Sequence, residues 1–486
     1  MRAFSANLGC GTCPEPAVST GTSRGHDGHG HGPEGVGDTR PDQPGKRRPR
    51  SRPQNRRFRF RSRCACPIIG RFLRHCVSMP NPPKALPVAG PPPALTESAR
   101  AVLRTVSTSG PITRPQLGAL LAFSKPTMSA AVGELEAHGL VASRGTVKGP
   151  TGRTAVTYGL GPQAGIVVGI DAGTTHTHAI AAGLDGRPIA EADMPSSEID
   201  GAVEQVLDRV RRDGPLRAIA VAVPTIVSSA LAPRGRGKDL PAIARSLHRR
   251  FRVPILLENN VNCAALAELR EGTAQGRASF IYLQVGIKIG LGIVIDGRLF
   301  RGFNGAAGEV GRLPFPWSAT ETPRLEALEE YLGSASLVAR CARDWPSGEG
   351  APPRSAEELF ARAASSAHAR ACIDRHAADI GRLVAACVGV LDPGLAVLGG
   401  GVGQNELMVE QIARTVAELT WPTEIAVSRL TRKATVLGAV GLAADYSLGT
   451  LLGEDRRPAV SLLPEADGAE EPRPARRPAR AASGQR

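Results

Sequence analysis

The stretch Val167-Val168-Gly169-Ile170-Asp171-Ala172-Gly173-Thr174-Thr175 decides the fold. Its β-branched run reads as a buried strand, and Asp-x-Gly-Thr reads as the turn that follows. Such a turn suits nucleotide phosphates: glycine lets the backbone approach, hydroxyls donate hydrogen bonds, and the carboxylate can hold magnesium through water. Taken alone it is unspecific, because many hairpins carry Asp and Gly. Its companions along the chain make it specific. Leu257-Glu258-Asn259-Asn260-Val261-Asn262 leads into a helix ending near 268–272. Residues 280–295 read as two buried strands joined by the turn Gly286-Ile287-Lys288-Ile289-Gly290, with Asp296-Gly297 after them. Then come Gly305-Ala306-Ala307-Gly308-Glu309-Val310-Gly311-Arg312, Leu398-Gly399-Gly400-Gly401-Val402 and Leu437-Gly438-Ala439-Val440-Gly441-Leu442. Strand and helix patterns alternate from 165 to about 450, which indicates an α/β body.

In this order the motifs resemble the ROK family (repressors, open reading frames, kinases), over about residues 95–450. The resemblance implies a two-lobed, actin/hexokinase-like (ribonuclease-H-like) body with ligand in the cleft between the lobes. It also implies a sugar or amino-sugar ligand and, for the repressor branch, an N-terminal winged helix-turn-helix and assembly into dimers or tetramers. On this resemblance Asn259, Asn260, Glu309 and Glu329 fall at sugar-contacting positions, with Arg312 replacing a His that hydrogen-bonds the sugar. Asp171, Gly173, Thr174, Gly286, Gly399 and Gly400 fall at the nucleotide site, which is expected to be vestigial.

That expectation comes from three departures. Family kinases carry Glu-Asn-Asp where this chain has Glu258-Asn259-Asn260. The Asp is the general base, and an Asn carboxamide does not titrate near neutral pH; losing such a group costs about 10²–10⁴-fold in rate. The phosphate turn Gly-Thr-Gly-Ile-Gly is here Gly286-Ile287-Lys288-Ile289-Gly290. Ile287 removes a hydroxyl donor, and Lys288 puts a Cβ where backbone must approach phosphate. Finally, the family's zinc-binding His is Arg312, and its three cysteine positions fall on Thr320, Thr322 and Ala327 when Glu329 is matched to the final Glu of that loop. These side chains are no zinc set, so no zinc and no other cofactor are expected. Arg312 is left with two readings: it pairs with an acidic ligand such as a sugar phosphate or sugar acid, or it neutralises Glu309 in a collapsed cleft.

Ahead of the body, residues 93–160 read as three short helices and two strands. Thr96 caps the first helix, whose apolar face holds Ala99, Val102, Leu103 and Val106. Thr113-Arg-Pro-Gln116 fits a capping box opening a second helix through Leu117, Leu120 and Leu121. Ser124 caps a third, Lys125 to His138, which Gly139 stops. A turn of about four residues between the second and third helices is what a helix-turn-helix requires. Lys125, Thr127 and Ser129 stand where a recognition helix meets base edges and phosphates. Val147-Lys148-Gly-Pro-Thr-Gly-Arg153 reads as a wing, with Lys148 and Arg153 toward the DNA backbone or minor groove.

The rest of the chain qualifies this picture. A net charge of +15 over 486 residues suggests nucleic acid, but the first 78 residues, with 15 Lys/Arg and 5 Asp/Glu, carry +10 of it. The case for DNA therefore rests on the motif. Residues 1–92, rich in Gly, Pro, Arg and His, are expected to be disordered, or to lie upstream of a true start at Met79. The 53-to-7 excess of Arg over Lys indicates a GC-rich genome, where starts are easily misread. Residues 451–486 are expected to form a second disordered tail after the body at 161–450. Five cysteines lie in the first 78 residues, and Cys263, Cys341, Cys372 and Cys387 are scattered, so all are read as free thiols. A metal clip at Cys10-Gly-Thr-Cys13 with His26, His29 and His31 is disfavoured for want of apolar residues around it. No signal sequence or membrane span is read, so the expected location is cytoplasmic. The expected function is a DNA-binding regulator, a repressor controlled by a sugar or sugar derivative and acting as a homodimer or homotetramer on double-stranded DNA. An ATP-dependent sugar kinase with an accessory reader is the first alternative, and a ligand-independent DNA-binding dimer the second.

Overall fold

A computed structural model describes residues 90–148, 154–210, 213–227, 242–316, 318–454 and 460–462. The reader is built from helices Glu97–Ser109, Arg114–Leu121 and Lys125–Ala137, then strands Val141–Lys148 and Thr154–Leu160. Each helix opens on the cap its sequence announces. Thr96 Oγ1 accepts from Ala99 N at 3.3 Å, Thr113 and Gln116 close a reciprocal capping box, and Ser124 Oγ accepts from Thr127 N at 3.2 Å. Thr96 does more: its N and Oγ1 donate to the Glu134 carboxylate at 2.9 and 2.6 Å, locking the first helix to the third. These bonds to Thr96 hold Glu134 below the usual carboxylate range.

One detail differs from the sequence reading. Ile112–Thr113 forms a short strand that pairs with Thr154–Leu160, so the wing belongs to a three-stranded sheet. The second helix runs through Leu117, Leu120 and Leu121 as read; Leu117 is buried, Leu121 packs against the core from a half-buried position, and Leu120 is exposed.

The body has two sheets. The first runs, edge to edge, through Val460–Leu462, Ile255–Asn259, Leu216–Val223, Ile166–Ala172, His176–Gly183 and Pro188–Pro195. The second runs through Arg298–Leu299, Ile289–Ile295, Phe280–Val285, Leu395–Gly399 and Glu424–Val427. Strands 255–259, 216–223 and 166–172 are parallel, and their near-continuous apolar runs suit a sheet covered on both faces. The expected tail at 451–486 needs correcting at Val460–Leu462, which pairs antiparallel with 255–257. The open edge of strand 255–259 offers unpaired N–H and C=O groups, and a short extended segment satisfies them.

Helix Ala434–Leu451 lies against strand 166–172 and helix Asn260–Glu271. The approach is so close that a Cβ on Gly438 would stand 1.7 Å from the Cys263 carbonyl oxygen, so only glycine fits. By length and composition the segment Thr431–Leu451 resembles a membrane span, but 67% of its apolar window is buried inside the body. The reader is packed into the same body. Val106, Leu135, Leu140 and Tyr158 belong to one apolar cluster with Val167, Ile180, Val440, Leu451 and Leu452. Arg104 pairs with Glu454, and Arg187 Nη2 donates to Gly110 O at 3.0 Å.

Candidate functional site

The motif at 258–260 shapes one wall of the site. Asn259 ends its strand and caps the next helix: Oδ1 accepts from Val261 N at 2.9 Å and Asn262 N at 3.3 Å, and Nδ2 donates to Thr225 O at 3.2 Å. Its polar atoms are thus engaged in fixing the start of helix 260–271. Asn260, partly buried, is the first residue of that helix, at the position where the resemblance puts a catalytic Asp.

Behind them sits Glu258, 1% exposed. Its Oε1 accepts from Asn259 N at 2.9 Å and Asn262 Nδ2 at 3.0 Å, and its Oε2 lies 2.7 Å from both Nε and Nη2 of Arg301. A carboxylate withdrawn from water needs this degree of pairing. Sequence reasoning missed both members. The signal at Glu258 was legible, since a charge closing the apolar run 255–257 must find a partner. Nothing marked Arg301 as that partner.

The other wall gathers four charges. Lys288, in the 286–290 turn, donates through Nζ to Glu329 Oε1 at 2.9 Å. Glu309 faces Arg312 at 3.5 Å. Burial pushes the Glu309 carboxyl up, Arg312 pulls it down, and Glu329 and Lys288 act on it in opposite directions, so the four groups form one electrostatic cluster. Helix Ala327–Leu332 carries Glu329 directly over Gly311, where a Cβ would come 3.1 Å from Glu329 Cβ. Ser334 N donates to Gly286 O at 2.8 Å, tying the next helix, Ser334–Arg343, to the turn.

The glycines at the nucleotide positions divide by role. Gly400 has φ +82°, and a Cβ there would stand 2.4 Å from Val285 O. Gly399 ends its strand beside it, and Gly286 comes within 3.6 Å of Gly401 N when given a Cβ. Two glycine turns therefore abut at the ends of neighbouring strands, as in a phosphate cradle. Ile287, however, is 75% exposed at the crest of the turn. Gly173 and Thr174 form the turn between strands 166–172 and 176–183, with Thr174 exposed. Asp171 is partly buried, and burial raises its carboxyl to about 6; among the described residues no cation stands beside it.

The residues that the resemblance puts at the zinc positions do not fit the ion. Arg312, Thr320, Thr322 and Ala327 offer no thiolate or imidazole. This stretch is closed by packing instead: the rings of Phe315 and Tyr331 lie 5.0 Å apart, and Arg324 pairs with Glu330.

On the reader, Lys125, Thr127 and Ser129 are all exposed along the first turns of the third helix. The Thr127 hydroxyl is 2.8 Å from that of Ser124, so it also serves the cap. Lys148 is exposed at the end of its strand; Arg153, with the wing tip 149–153, lies outside the described residues.

Comparison with known proteins agrees with this layout. Residues 167–446 match the ROK family and residues 95–148 the MarR family. The xylose repressor of Caldicellulosiruptor bescii is 26% identical over 376 residues, covering 70% of this chain and 94% of that protein. The xylose repressor of Bacillus subtilis is also 26% identical, over 44% of this chain and 59% of its own length. The crystal structure of a ROK family transcriptional regulator, a homologue of the E. coli MLC protein, has the same fold. Its TM-score is 0.59 at 19% identity, over 73% of this chain and 96% of that one. With the match at 167–446 spanning more than half its length, the chain belongs to the ROK family, and it carries a MarR-type winged helix ahead of the sugar-kinase-like body.

Proposed function

We propose that the protein is a DNA-binding transcriptional repressor whose kinase-like body senses a sugar without phosphorylating it. The observation that carries this reading is the continuity of packing between the two parts. Helix 434–451 grips helix 260–271 at Gly438 and, at its far end, shares Leu451 and Leu452 with the core of the reader. A ligand that shifts the start of helix 260–271 therefore acts on an element that the reader is packed against. Effector binding re-spaces two readers in a dimer and changes their fit to a palindromic site.

The same reading assigns the second wall to a neutral sugar. Glu309 and Glu329 already face Arg312 and Lys288, so hydroxyls that accept and donate fit there better than another anion. Because relatives are named xylose repressors, xylose is the first sugar to try. Phosphoryl transfer is not supported: Asn260 supplies no base, and Lys288 is held by Glu329.

Two measurements test the proposal. The full chain should bind DNA flanking its own gene in a salt-sensitive way, and the right sugar should release it. Lys148→Ala should lower the slope of log affinity against log salt by about one if it meets a phosphate. Sequence-independent binding that no sugar alters would leave only an architectural DNA binder. A coupled assay over a sugar panel addresses the kinase alternative, where turnover in the usual range of about 1–100 s⁻¹ would overturn the reading of Asn260.

A further inference from the structure

Helix Ser334–Arg343 packs against the long helix Ala367–Leu391. The contact unites two thiols and an imidazole that look scattered in the sequence. Cys341 is fully buried, Cys372 is 5% exposed and His368 is partly buried. One ligand atom from each lies within 4.8 Å of the other two. His368 and Cys372 are four residues apart, hence on one face of their helix. His368 Nε2 is 3.6 Å from Cys372 Sγ and 3.1 Å from the Cys341 carbonyl oxygen. Trp345 holds the imidazole edge-on, with ring centroids 5.6 Å apart. The Arg375 guanidinium donates to Cys372 Sγ at 3.4 Å.

We propose that Cys341, His368 and Cys372 bind one thiophilic divalent cation, for which zinc is the best match. Two sulfurs and one imidazole nitrogen make three corners of a tetrahedral zinc set, and water can complete the fourth. The absence of oxygen donors among the three disfavours magnesium and calcium. Tetrahedral zinc with bonds of about 2.0–2.3 Å would hold its ligand atoms roughly 3.3–3.8 Å apart, so the present cluster closes with small side-chain movements. On binding, two S–H bonds break, two Zn–S bonds and one Zn–N bond form, and two protons leave to solvent. His368 Nε2 exchanges the Cys341 carbonyl for the ion. Because both thiols must shed their protons to bind, binding tightens as pH rises. The ion would fasten helix 334–343, already tied to Gly286 through Ser334, to helix 367–391. The residues are distinct from the failed positions at 312, 320, 322 and 327.

The test uses the full chain, stripped with a chelator under reducing conditions and titrated with Co²⁺. The chain has other cysteines besides these two, so the readout is the difference between wild type and the variants C372S and H368Q. Wild type should bind one more Co²⁺ than either variant, and that ion should give thiolate-to-cobalt charge transfer and tetrahedral visible bands that zinc abolishes. Circular dichroism of the metal-free proteins verifies folding. As a check independent of the variants, zinc should slow alkylation of Cys341 and Cys372 at least tenfold in wild type, mapped by mass spectrometry at a temperature where the apo thiols react. Equal stoichiometry and spectra in folded variants, or alkylation rates indifferent to zinc, would overturn the proposal.

Discussion

Glu258 and Glu309 each face an arginine, but they live in different media. Glu258 is 1% exposed and accepts from two arginine nitrogens, a carboxamide and a backbone amide, all at 2.7–3.0 Å. Glu309 is about a third exposed, and its arginine stands off at 3.5 Å. In the first pair every lone pair is spoken for by fixed protein groups, so the pair is scaffold that sets where Asn259 and Asn260 sit. In the second, weak and solvated contacts can be exchanged for ligand hydroxyls at little cost. A tightly satisfied charge builds a site, whereas a loosely satisfied one is free to serve it.

The sharpest way to break this contrast is Arg301→Ala. It strands a buried carboxylate and should cost about 3–5 kcal/mol, read by urea unfolding. Adding Glu258→Gln should recover part of that loss. If Arg312→Ala proved equally costly, the distinction between scaffold and exchangeable pair would collapse.

Acid should produce the next effect. Burial, with Arg340 beside it, lowers buried His376 to about 3. A histidine kept neutral by the fold supports stability fully above its unfolded value near 6.5, and that support is lost as pH falls toward 3, at up to about 1.4 kcal/mol per pH unit. Asp171 works in the opposite sense. With its folded value raised to about 6, the native state holds its proton more tightly, so stability falls as pH rises from about 4 to 6. Asp171→Asn should therefore stabilise the protein by up to about 3 kcal/mol at pH 7 and unmask the histidine slope in the pH 4–6 window. Chemical denaturation across that window reads both.

Smallest in stability, and largest in function, should be the charges of the second wall. Glu309→Gln, Arg312→Ala and Lys288→Ala should each change stability by less than about 1 kcal/mol. The first two should weaken sugar binding at least tenfold by calorimetry. Unchanged sugar affinity would move the effector elsewhere in the body.

Much of this was legible in the sequence because local chemistry controls it. The caps at Thr96, Thr113 and Ser124 are contacts within a few residues, and the glycine turns at 286–290 and 399–401 announce themselves. The paired strands within 280–295 follow from an apolar run broken by a turn. What escaped were long-range pairings. Arg301 is 43 residues from Glu258, and Cys341 is 31 from Cys372; no periodicity links them. The strand 460–462 was hidden for another reason: three residues at an open edge carry too little pattern to outweigh the Pro/Ala/Arg-rich segment around them.

The shared apolar cluster between reader and body has a practical side. A reader with its own closed core could be cut off or exchanged as a cassette. Here a cut near 161 would lay bare Val440, Leu451 and Leu452 on one piece and Val106 and Leu140 on the other. Truncation is therefore a poor control for DNA binding, since both fragments would be inclined to aggregate. Grafting a new operator preference onto this scaffold is best done by changing the exposed residues of helix 125–137 in place. Heating should melt reader and body together in a single calorimetric transition.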